Sequence, residues 1–123
     1  KPQPVFMCSD CGENAEVSEA YCQLVGVRSV SELEDLSWRS FVDIGDLSGY
    51  DELWKSALSE RRGVVAVIGF QDKYQKPRGK WRVRITPITP FISKNEDGFT
   101  FIGYFAPADE LAQSIWDEHG WHV

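Results

Sequence analysis

No run in this chain of 123 residues is long and apolar enough to span a bilayer, and no secretory signal is present. The expected location is therefore the cytoplasm. Histidine is nearly missing: His119 and His122 both sit in the tail EHGWHV. A serine or cysteine hydrolase needs a base held beside its nucleophile, and a fraying tail does not provide one. No glycine-rich phosphate loop follows a strand. Glu32, Glu34, Asp35, Asp51 and Glu52 fall at predicted helix starts or on exposed faces, where they favour the helix dipole. Catalysis is not expected of this chain, although an enzymatic effector could be joined to it. Repeats and low-complexity segments are absent, and the opening Lys-Pro-Gln-Pro without an initiator Met is expected of a piece of a longer protein.

An excess of positive charge is also lacking. Thirteen Lys and Arg against nineteen Asp and Glu leave a net charge of −6, which disfavours a nucleic-acid partner. The basic stripe Lys73, Lys76, Arg78, Lys80, Arg82 and Arg84 is read as a turn tip and a solvated strand face. Cysteine is scarce and odd in number, unlike a secreted disulfide framework. Cys8 and Cys11 form a C-x-x-C, with Cys22 eleven residues on. Zinc takes four ligands, and Cys8, Cys11, Cys22 and His119 are the set that could converge. A redox C-x-x-C wants a helix N-terminus, whereas these cysteines flank a predicted hairpin turn. They are read as reduced thiols, with no metal site.

What the chain has in quantity is strand pattern and aromatic rings. Gly63 to Phe105 holds three strand-like runs separated by two polar breaks. In KWRVRI, Trp81, Val83 and Ile85 alternate with Lys80, Arg82 and Arg84, the period of a half-buried strand. VVAVIGF carries β-branched residues on both faces, as a central strand would. FTFIGYF puts Phe99, Phe101 and Phe105 on one side. Earlier, Val5 to Cys8 and Glu13 to Val17 read as a strand pair. Ser18 is a plausible N-cap and Gly26 a terminator for a helix carrying Ala20, Tyr21, Leu24 and Val25. A short helix follows near Ser31 to Glu34. Asp46 is expected to cap a longer helix with a stripe of Tyr50, Leu53, Trp54, Ala57 and Leu58, ended by Gly63. One α+β domain is expected: a five-stranded antiparallel sheet with short helices on one face and a C-terminal helix. The length supports a single core.

AEVSEAYCQLVG (residues 15–26), LSWRSFVDIGDL (36–47), ELWKSALSERRG, and the strands FQDKYQKPRGKWRVRITPI and FTFIGYFAPADE occur in an order and spacing similar to those of a PAS domain, the sensory module of bacterial signalling proteins. The chain departs from the family's pattern at Ser18, where Asn is frequent, and at Asp43 and Ile44, which replace a His-Pro pair. The closing Asp-Ile-Thr is missing.

The resemblance implies residues 1–107 as the sensory domain and 108–123 as a connector helix. It implies a sensor whose cavity holds a small ligand, or an interaction module, regulating an effector such as a histidine kinase or diguanylate cyclase. The cofactor stays unknown. Flavin is disfavoured because Asn-Cys-Arg-Phe-Leu-Gln is lacking, and haem because the long helix has no His. A homodimer is expected, with no membrane segment in this chain. The expected cavity walls are Tyr21, Trp38, Phe41, Trp54, Phe70, Trp81, Ile85 and Phe101, with Arg39, Ser40, Thr86 and Gln23 as nearby polar groups; plain core packing is the competing role for each aromatic. After Pro107, the stripe Ala108, Leu111, Ala112, Ile115 and Trp116 marks a helix that either leads into a partner or folds back on the sheet. The alternatives are a ligand-free dimerisation module and a domain resembling the nuclear-transport-factor-2-like cone, which would begin with long helices.

Overall fold

The computed structural model describes residues 3–10, 15–35, 37–88 and 99–121. Strands β1 (Val5–Cys8) and β2 (Ala15–Val17) come first, then helix α1 (Glu19–Val25). Three short 3-10 turns at Val30–Asp35, Trp38–Phe41 and Ile44–Asp46 lead into helix α2 (Leu47–Glu60). Strands β3 (Val64–Gln71), β4 (Pro77–Pro87) and β5 (Phe101–Pro107) follow, and helix α3 (Glu110–His119) is the last element. The sheet order is β2-β1-β5-β4-β3, and every pairing is antiparallel.

Alternation decides which face is buried. Phe6, Phe101, Phe105, Trp81, Val83 and Ile85 all point to the helix side and are almost fully buried. Arg82 and Arg84 point to the opposite, open face. The expectation that VVAVIGF is a central strand is corrected here: β3 lies at the sheet edge. Its β-branched residues alternate between two environments, with Ile68 against α2 while Val65 and Val67 stay exposed on the open face. A run of Val and Ile satisfies strand sterics in either position, so composition alone did not separate edge from centre.

Local chemistry explains where the helices begin and stop. Ser18 Oγ accepts from Tyr21 N–H at 3.2 Å and from Val5 N–H at 3.0 Å, so one hydroxyl caps α1 and ties it to β1. Gly26 closes α1 at φ 78°, and the Arg78 guanidinium donates to the last carbonyls, Leu24 O at 2.8 Å and Gln23 O at 3.2 Å. Asp46 precedes α2 as expected, but its carboxylate is not the cap. It accepts the Gly69 N–H at 2.7 Å instead, tying α2 to β3. The helix ends earlier than Gly63, at Arg61 in the left-handed region, with its N–H on Ala57 O.

The rest of the basic stripe is partly spent inside the fold. Lys73 pairs with Glu32 at 2.9 Å and Lys80 with Asp46 at 3.3 Å. Helix α3 folds back on β4 and β5. Gly79 lets this happen: a Cβ there would run into the backbone of Ala112. Trp81 then packs between Trp116 and Trp121, with centroids 6.1 Å away in both cases. The Trp121 indole donates to Gln23 on α1 at 2.9 Å.

Candidate functional site

Between the sheet and the helices lies a cavity of about 230 Å³. Its floor is the sheet: Phe6 and Cys8 of β1, Phe70 of β3, Val83 of β4 and Phe105 of β5. Its walls are Tyr21 of α1, Trp38 of the second 3-10 turn, and Tyr50, Trp54 and Leu58 of α2. Glycine shapes the floor. Gly103 pairs with Phe6, and a Cβ on Gly103 would collide with the Phe6 ring, so the missing side chain is what lets that ring lie across β5. The rings meet edge to face, as Tyr21 does with Trp38 at 5.7 Å and with Phe105 at 5.6 Å, and Phe70 with Phe105 at 5.1 Å.

The rim is charged and balanced. Arg39 donates from two nitrogens to Asp51 at 3.1 and 2.9 Å. Asp10 is held by Arg61, with Nη1 to Oδ1 at 3.0 Å, and by the Thr100 hydroxyl, which donates at 2.5 Å. These hydrogen bonds hold the Asp10 carboxyl down at about 2. Inside, burial works the other way. Desolvation pushes the Tyr21 phenol well above its usual range and raises Tyr50 to about 12. Both phenols are neutral at physiological pH.

Of the residues expected at the cavity, Tyr21, Trp38, Trp54 and Phe70 line it. Phe41, Trp81, Ile85 and Phe101 are placed elsewhere in the core, nearly or wholly buried. Trp81 is covered by α3, and Phe101 meets Trp54 edge-on at 5.6 Å. Among the polar candidates Arg39 reaches the rim. Ser40 caps a turn carbonyl at Ser37, Thr86 lies near Gly63, and Gln23 receives Trp121. Sequence reasoning passed over Phe6, Cys8, Tyr50, Leu58, Val83 and Phe105. The alternation in β4 and β5 did mark Val83 and Phe105 as inward, but not which inward row the helices leave uncovered.

Cys8 and Cys22 are buried, and burial raises the Cys22 thiol. Cys11 and His122 lie outside the described residues, so of the set Cys8, Cys11, Cys22 and His119 only Cys8, Cys22 and His119 are described. Among the described residues no three His, Cys, Asp or Glu come together to hold a metal ion. His119 stacks on Trp121 at 4.7 Å, at the end of α3. No described helix is long and apolar enough to cross a membrane.

The chain has the PAS fold. It is similar to the PAS domain of a protein from Colwellia psychrerythraea, with a TM-score of 0.66 at 13% identity over 88% of this chain and 87% of that one. It is also similar to the LOV domain of a blue-light activated histidine kinase from Erythrobacter litoralis, with a TM-score of 0.62 at 14% identity over 89% and 99%. The fungal blue-light photoreceptor Vivid, solved as a light-state dimer, gives a TM-score of 0.60 at 15% identity over 86% and 78%. No family model matches the chain, and no curated protein does.

The sequence resemblance brought flavin and haem into consideration, and at its size in this structure the cavity is smaller than either group. A flavin mononucleotide has three fused rings and a phosphorylated chain, and haem is larger still. The cavity lies below the roughly 300–1,000 Å³ of sites for drug-sized ligands. The arginines beside it, Arg39 and Arg61, are each committed to a carboxylate within the chain.

Proposed function

We propose that this chain is a sensory module of a signalling protein, taking a small organic ligand between sheet and helices and relaying its presence to a linked effector. The observation that carries the reading is the ring-lined cavity with a balanced polar rim on a PAS fold. A cavity walled by α1, α2 and a 3-10 turn couples occupancy to helix position, because any ligand touches both the sheet and the elements that can shift over it. The effector is an enzyme such as a histidine kinase or diguanylate cyclase, and this chain is its sensory part rather than its catalyst. The setting is the cytoplasm and the assembly a homodimer. The dimer reading is supported by the open sheet face and by the dimeric form in which Vivid was solved.

Native mass spectrometry of the purified chain, repeated under denaturing conditions, tests this. An added mass present natively and lost on denaturation is the expected result. A bare mass at dimer stoichiometry would favour the ligand-free dimerisation module. The nuclear-transport-factor-2-like alternative is set aside by the architecture, in which a strand pair precedes the first helix and the whole follows the PAS order.

A further inference from the structure

Size, lining and charge together restrict what the cavity can hold, an inference that rests on the ligand-sensing reading above. A dry apolar cavity of about 150 Å³ takes benzene, so 230 Å³ scales to about nine or ten non-hydrogen atoms. That is one ring with a second fused to it. The lining is mostly ring faces and edges: Phe6, Tyr21, Trp38 and Trp54 approach one another at 5.7–6.4 Å between centroids. Such a space favours a flat guest that can continue the same edge-to-face contacts.

Charge narrows the class further. Among the described residues each charged side chain at the rim has its counterion, Arg39 with Asp51 and Asp10 with Arg61. A charged guest would enter against aromatic walls without a partner, or would have to break one of these pairs and leave the other half unmatched. The neutral phenols of Tyr21 and Tyr50 line the inside, Tyr50 sharing a hydrogen bond with Trp54, and such uncharged groups suit one or two uncharged polar atoms. We propose that the cavity binds a neutral, planar, fused two-ring aromatic molecule carrying at most one or two polar atoms.

Indole, indole-3-carboxylate and tryptamine share one ring system and differ in charge, and indole-3-carboxamide, neutral and the size of the carboxylate, separates charge from size; these are the probes. Each is titrated into the full chain by isothermal calorimetry, with saturation-transfer NMR as a second readout. Indole is expected to bind one site saturably, at least about tenfold tighter than either charged analogue. Val83→Phe fills the floor and Leu58→Phe fills the wall. Whichever keeps the wild-type circular dichroism is expected to lose indole, while Val65→Phe on the opposite sheet face keeps it. Equal or tighter binding of a charged analogue, or indole binding that survives the filling variants, would overturn the proposed class. A native adduct without indole binding overturns the class and leaves the sensory reading standing. Neither an adduct nor any bound probe overturns both.

Discussion

Asp10 shows how much of this fold hangs on single polar contacts. It leaves β1 at the cavity rim, where the Arg61 guanidinium and the Thr100 hydroxyl both bond its carboxylate. Arg61 is also the left-handed residue ending α2, and its guanidinium lies 5.4 Å from the Phe101 ring centre. One side chain thus links β1, the end of α2 and the approach to β5. The carboxyl sits at about 2 in the folded chain against an ordinary 3.8, so it binds fewer protons folded than unfolded. Its contribution is fully present above the unfolded value and is lost as pH falls through the folded one. The Asp10 side chain is 46% exposed, which holds that contribution to under about 1 kcal/mol. In urea titrations across a pH series, Asp10→Asn is expected to remove part of the acid-side loss of stability between about pH 4 and 2. An unchanged acid slope in the variant would assign that loss to other carboxylates.

At the scale of elements, what could be read in advance was whatever short-range chemistry dictates. Strand β1, the Ser18 and Gly26 caps of α1, the stripe of α2 and the inward alternation of β4 all follow from neighbouring residues. What could not be read was set by distant partners. Asp46 looked like an N-cap because Asp before a helix usually is one, yet a backbone N–H on β3 takes its carboxylate. Half of the expected cavity residues landed in solid core through distant partners: α3 covers Trp81, Phe101 packs on Trp54 of α2, and Phe41 and Ile85 are buried in the same core. Helix α3 is the clearest case: its stripe suits an intermolecular coil and an internal dock equally well. In the structure Ala112 and Ile115 are buried and Trp116 packs on Trp81 within the same chain. Trp116→Ala is therefore expected to cost about 2 kcal/mol, less than the 3–5 of a fully buried Trp, seen as a lower urea midpoint with an unchanged slope. A helix reserved for a partner would leave the monomer's midpoint almost where it was.

For the whole molecule, the two faces of the sheet divide the labour. One is fully used, by cavity, helices and core. The other presents Val65, Val67 and Tyr104 at 44%, 46% and 39% exposure, with Arg82 and Arg84 among them on β4. Across the same face Glu16 is exposed on β2, at the opposite edge. A second copy turned over about an axis along β5 would lay β2 above β3 and β1 above β4. Val5 and Met7 of β1 then lie over the Arg82 and Arg84 strand, Glu16 lies one strand beyond it over β3, and the same contact occurs twice, as a two-fold interface requires. With α3 spent internally, this face is where the proposed homodimer has apolar surface to bury. Sedimentation at increasing concentration is expected to show a dimer for the wild type. Val67→Asp, which would bury a charge among Val and Tyr side chains, should weaken it at least tenfold, about 1.4 kcal/mol. Leu58→Phe, on the cavity side, should leave association unchanged. A wild-type chain that stays monomeric at every concentration would remove the homodimer from the proposed function, leaving the open face to the linked effector.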